Sequence, residues 1–243
     1  MLTQYRLTLC SDELPQLTPE WGYRLYSALL AQAPPAFSRR VHADAVTPVS
    51  QFLICEGAPV WTVTLLGQEA EAALGELLET CSFFRLEKHG LRLQVAHRTR
   101  RSVADVEELF RQAESSAGMY RLRFCTPAAF KSRGQYLNLP TSRLMVCNLV
   151  KKWNGSVPDC FIEDTDGAGL DAIAEGLFWR EFALRSENYY LKGHRIPGFV
   201  GTAAVENQLS GFHRQLANAL ILFSSYAGVG IKTALGMGGV QIQ

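Results

Sequence analysis

The sequence predicts an α+β protein built from two tandem βαββαβ domains, the ferredoxin-like arrangement, and closed by a glycine-rich loop. Three observations predict it. The order strand, helix, strand, strand, helix, strand can be read in residues 1–117 and again, with larger insertions, in residues 118–243. No sequence repeat links the halves, so what recurs is the order of elements. The final residues, GVGIKTALGMGGVQIQ, then carry Gly228, Gly230, Gly236, Gly238 and Gly239 ahead of a short apolar run. A chain of 243 residues, 47% hydrophobic and 19% charged, can build a sizeable core in two domains. They are taken as an N-terminal domain, 1–117, and a C-terminal domain, 118–243.

Each element has its own local reason. Gln4 to Cys10 alternates as a strand does. Thr18-Pro19-Glu20 offers a cap, a proline at the first helical position and an acid in the first turn. That helix should run to about Ala33, where Pro34-Pro35 stops it. Val49 to Cys55 and Val60 to Leu66 flank Glu56-Gly57-Ala58-Pro59 as a hairpin. Glu69 to Glu79 is a second helix, and Leu91, Leu93 and Val95 alternate as a strand. Ser102 is expected to cap a short helix through Arg111, with Gly118 ending the domain.

In the second half, Tyr120, Leu122 and Phe124 alternate with Arg121 and Arg123, giving a strand with one basic face. Thr141 to Trp153 reads as a helix, Asp159 to Gly169 as a polar loop and Leu170 to Phe178 as a turn or two of helix. Glu181 to Lys192 and Arg195 to Val205 are strand-like around Gly193-His194. Gln208 to Tyr226 is a long helix with an apolar face, followed by the glycine loop and a last strand from Val240 to Ile242.

The loop is not a nucleotide fingerprint. A Walker loop needs glycine directly before lysine, and Ile231 precedes Lys232. A dinucleotide-binding loop would need a third glycine at Thr233, then a helix. No apolar run approaches the ~20 residues that span a bilayer, and the N-terminus lacks a signal-peptide pattern, so no membrane partner is expected. The six cysteines have no CxxC pairs and read as reduced residues of a cytoplasmic protein. Net charge is +1, but residues 1–117 carry 11 basic and 14 acidic side chains against 13 and 9 in the remainder. Any basic surface is therefore local.

Three segments carry a resemblance: HADAVTPVSQF (His42 to Phe52), CTPAAFKSRGQYLNLP (Cys125 to Pro140) and the terminal GVGIKTALGMGGV. In this order they resemble the CRISPR-associated repeat-RNA endoribonucleases of the RAMP superfamily, over nearly the whole chain. The resemblance implies two ferredoxin-like (RRM-like) domains and cleavage of CRISPR precursor transcripts within each repeat. It implies attack by the RNA 2′-hydroxyl, giving a 2′,3′-cyclic phosphate and a 5′-hydroxyl, with no metal and no cofactor. The expected partners are repeat RNA, as precursor and processed guide, with effector-complex subunits and a second copy of the chain as further candidates. A prokaryotic cytoplasm is the expected location.

Such a reaction needs a base near the 2′-oxygen, an acid near the leaving 5′-oxygen and positive charge around the transition state. By resemblance, His42 stands at the catalytic histidine, on the approach to the second strand. Tyr26 is favoured over Tyr23 as a helix-borne tyrosine. The lysine that some members place shortly after the histidine is missing, since the chain reads ADAVTPVSQ. Arg39, Arg40 or Ser50 could substitute. For RNA binding, Lys232 supplies a cation where Gly228, Gly230, Gly236 and Gly238 let backbone approach. Lys131 and Arg133 follow the TP segment, and Lys192 and Arg195 border the strand pair. Lys151 and Lys152 end a helix favourably or touch RNA; Arg98, Arg100 and Arg101 form a basic run that is a solvated strand end or an RNA contact. Two readings stay open beside cleavage: a non-catalytic RNA-binding subunit of a CRISPR effector complex, and an unrelated protein-binding module.

Overall fold

The structure, a computed structural model, describes residues 1–11, 17–43, 46–116 and 118–243, apart from the side chains of His42, Ala43 and Lys88. The first half contains β1 (Leu2–Cys10), α1 (Trp21–Leu30), α2 (Pro35–Ala43), β2 (Val49–Ile54), β3 (Val60–Leu66), α3 (Gln68–Thr80), β4 (Phe83–Leu86), β5 (Leu91–Val103) and α4 (Val106–Glu114). Its antiparallel sheet has the order β2-β3-β1-β5-β4, a ferredoxin-like order with β4 added at one edge. The second half contains β6 (Met119–Ala128), β7 (Phe130–Ser132), β8 (Gln135–Leu137), α5 (Ser142–Ser156), α6 (Ala168–Glu175), β9 (Leu177–Leu191), β10 (His194–Asn207), α7 (Gly211–Ala227) and β11 (Val240–Ile242). Its sheet order, β11-β6-β10-β9, is again ferredoxin-like. The junction assigned to residue 117 falls on a position outside the described residues.

Each sheet buries one face under helices. In the first, Tyr5, Leu7 and Leu9 of β1 meet Leu25 and Leu29 of α1 and Leu74 and Leu78 of α3. In the second, Leu122 and Phe124 of β6 and Phe199 and Val205 of β10 meet Trp153 of α5 and Leu220 and Phe223 of α7. The far face of the first sheet is also covered, by α7 of the second domain. Gln4 Nε2 donates to the Ser225 carbonyl at 2.8 Å, and Arg101 Nη2 donates to Ser225 Oγ at 3.0 Å. Ser50 Oγ donates to the Tyr226 carbonyl. Gln4 and Arg101 are also bonded within the first domain, Gln4 Nε2 to Thr64 Oγ1 at 2.9 Å and Arg101 Nε to Gln4 Oε1 at 2.9 Å, but parting the halves would break the bonds that cross the junction. α7 thus serves two sheets at once.

Several elements differ from expectation. α1 ends at Leu30 rather than about Ala33, and after a break at residues 31–34 Pro35 begins a second helix, α2, where a missing N–H costs nothing. His42 therefore sits in the last turn of a helix, not in a loop. α1 begins at Trp21, without a side-chain cap, rather than at Pro19. α4 is capped by Asp105, not Ser102: Glu108 N–H donates to Asp105 Oδ1 at 2.8 Å, and Ala104 N–H donates back to Glu108 Oε2 at 2.7 Å. Ser102 is still in β5. The basic run splits up: Arg101 enters the domain junction, Arg100 reaches Glu71 and Arg98 donates to the Cys81 carbonyl. Arg121 and Arg123 are likewise paired, with Glu181 at 2.7 Å and Glu56 at 2.5 Å. β4 and the β7–β8 hairpin were too short for periodicity to reveal, and β9 starts four residues early. No described helix is long and apolar enough to cross a membrane.

Candidate functional site: a lysine-lined cavity at the domain junction

The glycine loop is where backbone geometry is most unusual. Gly228, Gly230, Gly236 and Gly238 all have positive φ, and all four are buried. A Cβ on Gly230 would stand 2.2 Å from the Ala129 carbonyl oxygen, and one on Gly238 would stand 2.0 Å from that of Val229. A Cβ on Gly236 would stand 2.3 Å from the Tyr189 hydroxyl, and one on Gly239 would collide with the Phe52 ring of β2. Their amides are engaged as well: Gly228 N–H donates to Ser224, Gly238 N–H to Pro127 and Gly230 N–H to Asn148 Oδ1. This corrects the expectation of backbone left bare for RNA. The glycines let the protein close on itself, and the close approach is to β2, β6 and α5.

What the packed loop presents to solvent is Lys232. It is exposed, with left-handed backbone (φ 55), and its carbonyl accepts from Leu235 at 2.8 Å. Among the described residues its ammonium makes no hydrogen bond or ion pair.

Beside Lys232 lies a cavity of about 380 Å³ whose walls come from both halves of the chain. The first half contributes Tyr26 from α1 and Val41 from α2, and the second contributes Asn148, Lys151 and Lys152 from α5 and Gly230 to Leu235 from the loop. Tyr26 is 3% exposed and packs in the first core, yet among the described residues its hydroxyl has no partner. Burial raises the pKa of that phenol, so it is protonated and able to donate. His42 follows Val41 directly, in the last turn of α2; its side chain is outside the described residues.

Asn148 and Lys152, one helical turn apart on α5, hold the start of the loop. Asn148 accepts from Gly230 N–H at 2.8 Å and donates to the Gly230 carbonyl at 3.3 Å. Lys152 Nζ donates to the carbonyls of Ala227 and Gly228 at 3.1 and 2.9 Å, the open C-terminal end of α7. The residue as a whole is half-buried, but its ammonium is enclosed, and that burial lowers its pKa to about 7. Sequence reasoning considered Lys152 only as a helix end or an RNA contact and did not consider Asn148. The one available signal was their i, i+4 spacing; the enclosure of the ammonium comes from α7, far along the chain.

The other candidates lie outside this cavity. Arg40 pairs with Glu69, and Arg39 is exposed on α2. Lys131 and Arg133 belong to the β7–β8 hairpin, with Arg133 at its left-handed turn. Lys192 holds the equivalent place in the β9–β10 turn, 5.1 Å above the Tyr23 ring, and Arg195 follows in β10. Arg133, Lys192 and Lys232 are the non-glycine residues with positive φ among the described residues, and each is a cation at a turn apex. Ser50 is buried on the Tyr226 carbonyl and so cannot stand in for the missing lysine.

Two ferredoxin-like domains joined face to helix, with a glycine-packed C-terminal loop at a basic junction, define the class of this protein. A family model described as CRISPR-associated endoribonuclease Cas6 matches residues 122–240. A protein of the same description from Mycobacterium tuberculosis is 26% identical over 228 residues, 91% of this chain and 71% of its own length. One from Streptococcus thermophilus is 30% identical over 138 residues, 56% of this chain and 55% of its own. Among solved structures, a Cas6 product complex superposes with a TM-score of 0.80 at 23% identity, covering 100% of this chain and 99% of that one. At that identity the likeness concerns the fold. The chain is therefore similar to CRISPR-associated endoribonucleases, over residues 122–240 by the family model and over as much as 91% of its length by the relatives.

Proposed function

We propose that this protein cuts CRISPR precursor transcripts within the repeat, without metal, by attack of the RNA 2′-hydroxyl on the adjacent phosphate. The products are a 2′,3′-cyclic phosphate and a 5′-hydroxyl. One observation carries the reading: the junction cavity is lined by Tyr26, Lys152 and Lys232, and by the helical turn that leads into His42. His42 is the general acid or base. Histidine suits proton delivery to the leaving 5′-oxygen because imidazole exchanges protons near neutral pH. The protonated Tyr26 hydroxyl donates to a phosphate oxygen or to the attacking 2′-oxygen. Lys232 and Lys152 offset charge as the phosphorane-like transition state forms. Lys152 is supplied by the second domain and occupies the role left open by the lysine missing after His42.

RNA is held by Lys232 at the loop, by Lys131 and Arg133 on one hairpin and by Lys192 and Arg195 on the other, with Arg39 beside His42. Repeat RNA is the partner, as the product complex of a solved relative supports. The boundary between an RNA-cutting N-terminal domain and an RNA-gripping C-terminal one is placed near residue 117. The decisive test incubates the protein with its own repeat RNA in EDTA and compares His42→Ala. Wild type should cut and the variant should lose on the order of 10²- to 10⁴-fold in rate. Tight repeat binding without cleavage by wild type would instead select the non-catalytic effector subunit.

A further inference from the structure

On the outer flank of α1 a second groove begins where the β9–β10 turn ends. Its first part, about 550 Å³, lies between Glu20, Trp21, Tyr23 and Arg24 of the α1 region and Tyr190 and Lys192 of the hairpin. Its second part, about 780 Å³, shares Tyr23 and Arg24 and continues between α1 and β4 past Phe83, Arg85 and His89. Along this path cations lie over rings. Arg24 covers Trp21 at 4.1 Å, Arg92 covers Phe83 at 3.8 Å and Lys192 covers Tyr23 at 5.1 Å. These are three of the six such pairs among the described residues, gathered on one strip. His89 tilts against Trp21 at 5.2 Å, and Tyr190 is 57% exposed. The cations outnumber the acids: Arg24, Arg85 and Lys192 line the groove with Glu20 and Glu87, and Arg92 reaches it over Phe83; among the described residues the acid–arginine pair here is Glu87 with Arg85 at 3.8 Å.

We infer that this strip is a binding track for single-stranded RNA leading away from the cleavage cavity. It rests on the RNA reading above and extends it from the repeat core to an unpaired flank. Guanidinium groups held 3.8 and 4.1 Å over rings, with the exposed ring of Tyr190, offer stacking surfaces to successive bases, and stacking is tolerant of sequence. A duplex hides its base faces, so the rings suit an unpaired strand. An acidic peptide would use the cations but not the flat ring and guanidinium faces. The track includes Lys192, and Tyr23 at its head packs against the same buried cluster, around Tyr189 and Met237, as Ile231 and Leu235 beside Lys232.

The test uses the full chain, a fluorescein-labelled twelve-nucleotide oligouridylate, and the repeat RNA with and without an unpaired extension. The variants are Arg24→Gln/Arg92→Gln and the charge-preserving Arg24→Lys/Arg92→Lys. The glutamine pair should weaken oligouridylate binding at least tenfold, and the lysine pair should recover only part of it. Both should cut the unextended repeat at the wild-type rate with unchanged melting. Photocrosslinking of an iodouridine oligomer should mark Trp21, Phe83 or Tyr190. Wild-type oligouridylate affinity in the glutamine variant, or crosslinks confined to other residues, overturns the track. If wild type neither binds nor cuts the repeat, the function itself fails, a result separable from failure of the track alone.

Discussion

Lys152 Nζ lies 2.9 Å from the carbonyl oxygen of Gly228, so a lysine of α5 closes the C-terminal end of α7 at the first residue of the glycine loop. Its ammonium is enclosed, with a pKa lowered by burial from 10.5 to about 7. Between these values the unfolded chain binds the proton and the folded chain releases it. Stability from this group is therefore complete above about pH 10.5 and is lost as pH falls to about 7, by up to about 1.4 kcal/mol per pH unit. Denaturant unfolding at pH 7, 8 and 9 should show this rise in wild type and a flatter profile in Lys152→Met.

Gly230 and Gly193 separate two costs of replacing a glycine. Both have positive φ, but a Cβ on Gly230 meets the Ala129 backbone at 2.2 Å, while nothing lies within 4 Å of one on Gly193. Gly193→Ala should lose about 1 kcal/mol, the left-handed penalty alone. Gly230→Ala adds a clash that only main-chain movement relieves, and it should lose more than about 3 kcal/mol. Thermal melts of the two variants decide this.

Tyr26 buries a hydroxyl that bonds to nothing among the described residues. Tyr26→Phe removes an unsatisfied polar group and should leave stability unchanged or raised by about 1 kcal/mol. If the hydroxyl serves the reaction, single-turnover cleavage should fall by roughly 10²-fold in the same protein. Equal cleavage with equal stability would assign Tyr26 to the core alone.

Lys232 carries an exposed, unpaired charge at the loop apex. Lys232→Ala should weaken repeat binding and lower the slope of log affinity against log salt by about 1. Melting should hardly change, because the side chain is exposed. An unaltered slope would remove Lys232 from the phosphate contacts.

Much of the fold was legible because it rests on local signals. Alternation in Tyr120, Leu122 and Phe124, the Thr141 cap on α5 and the hairpin around Gly57 are contained within a few residues each. The C-terminal glycine cluster marked a place of close approach. These features sufficed for two βαββαβ units ending in a glycine loop, and the ordered segments pointed to the family.

The site was legible only in part. Which partner the glycines approach, that Lys152 is enclosed while Lys232 is free, and that Arg101 serves the junction all depend on α7 lying between two sheets. Those contacts join residues more than 70 positions apart, such as Lys152 with Gly228 and Gln4 with Ser225. A side chain's charge and hydrogen-bonding capacity are written in its chemistry. Whether it is solvated, paired or buried is set by surfaces that arrive from elsewhere in the chain, and only the tertiary structure decides that.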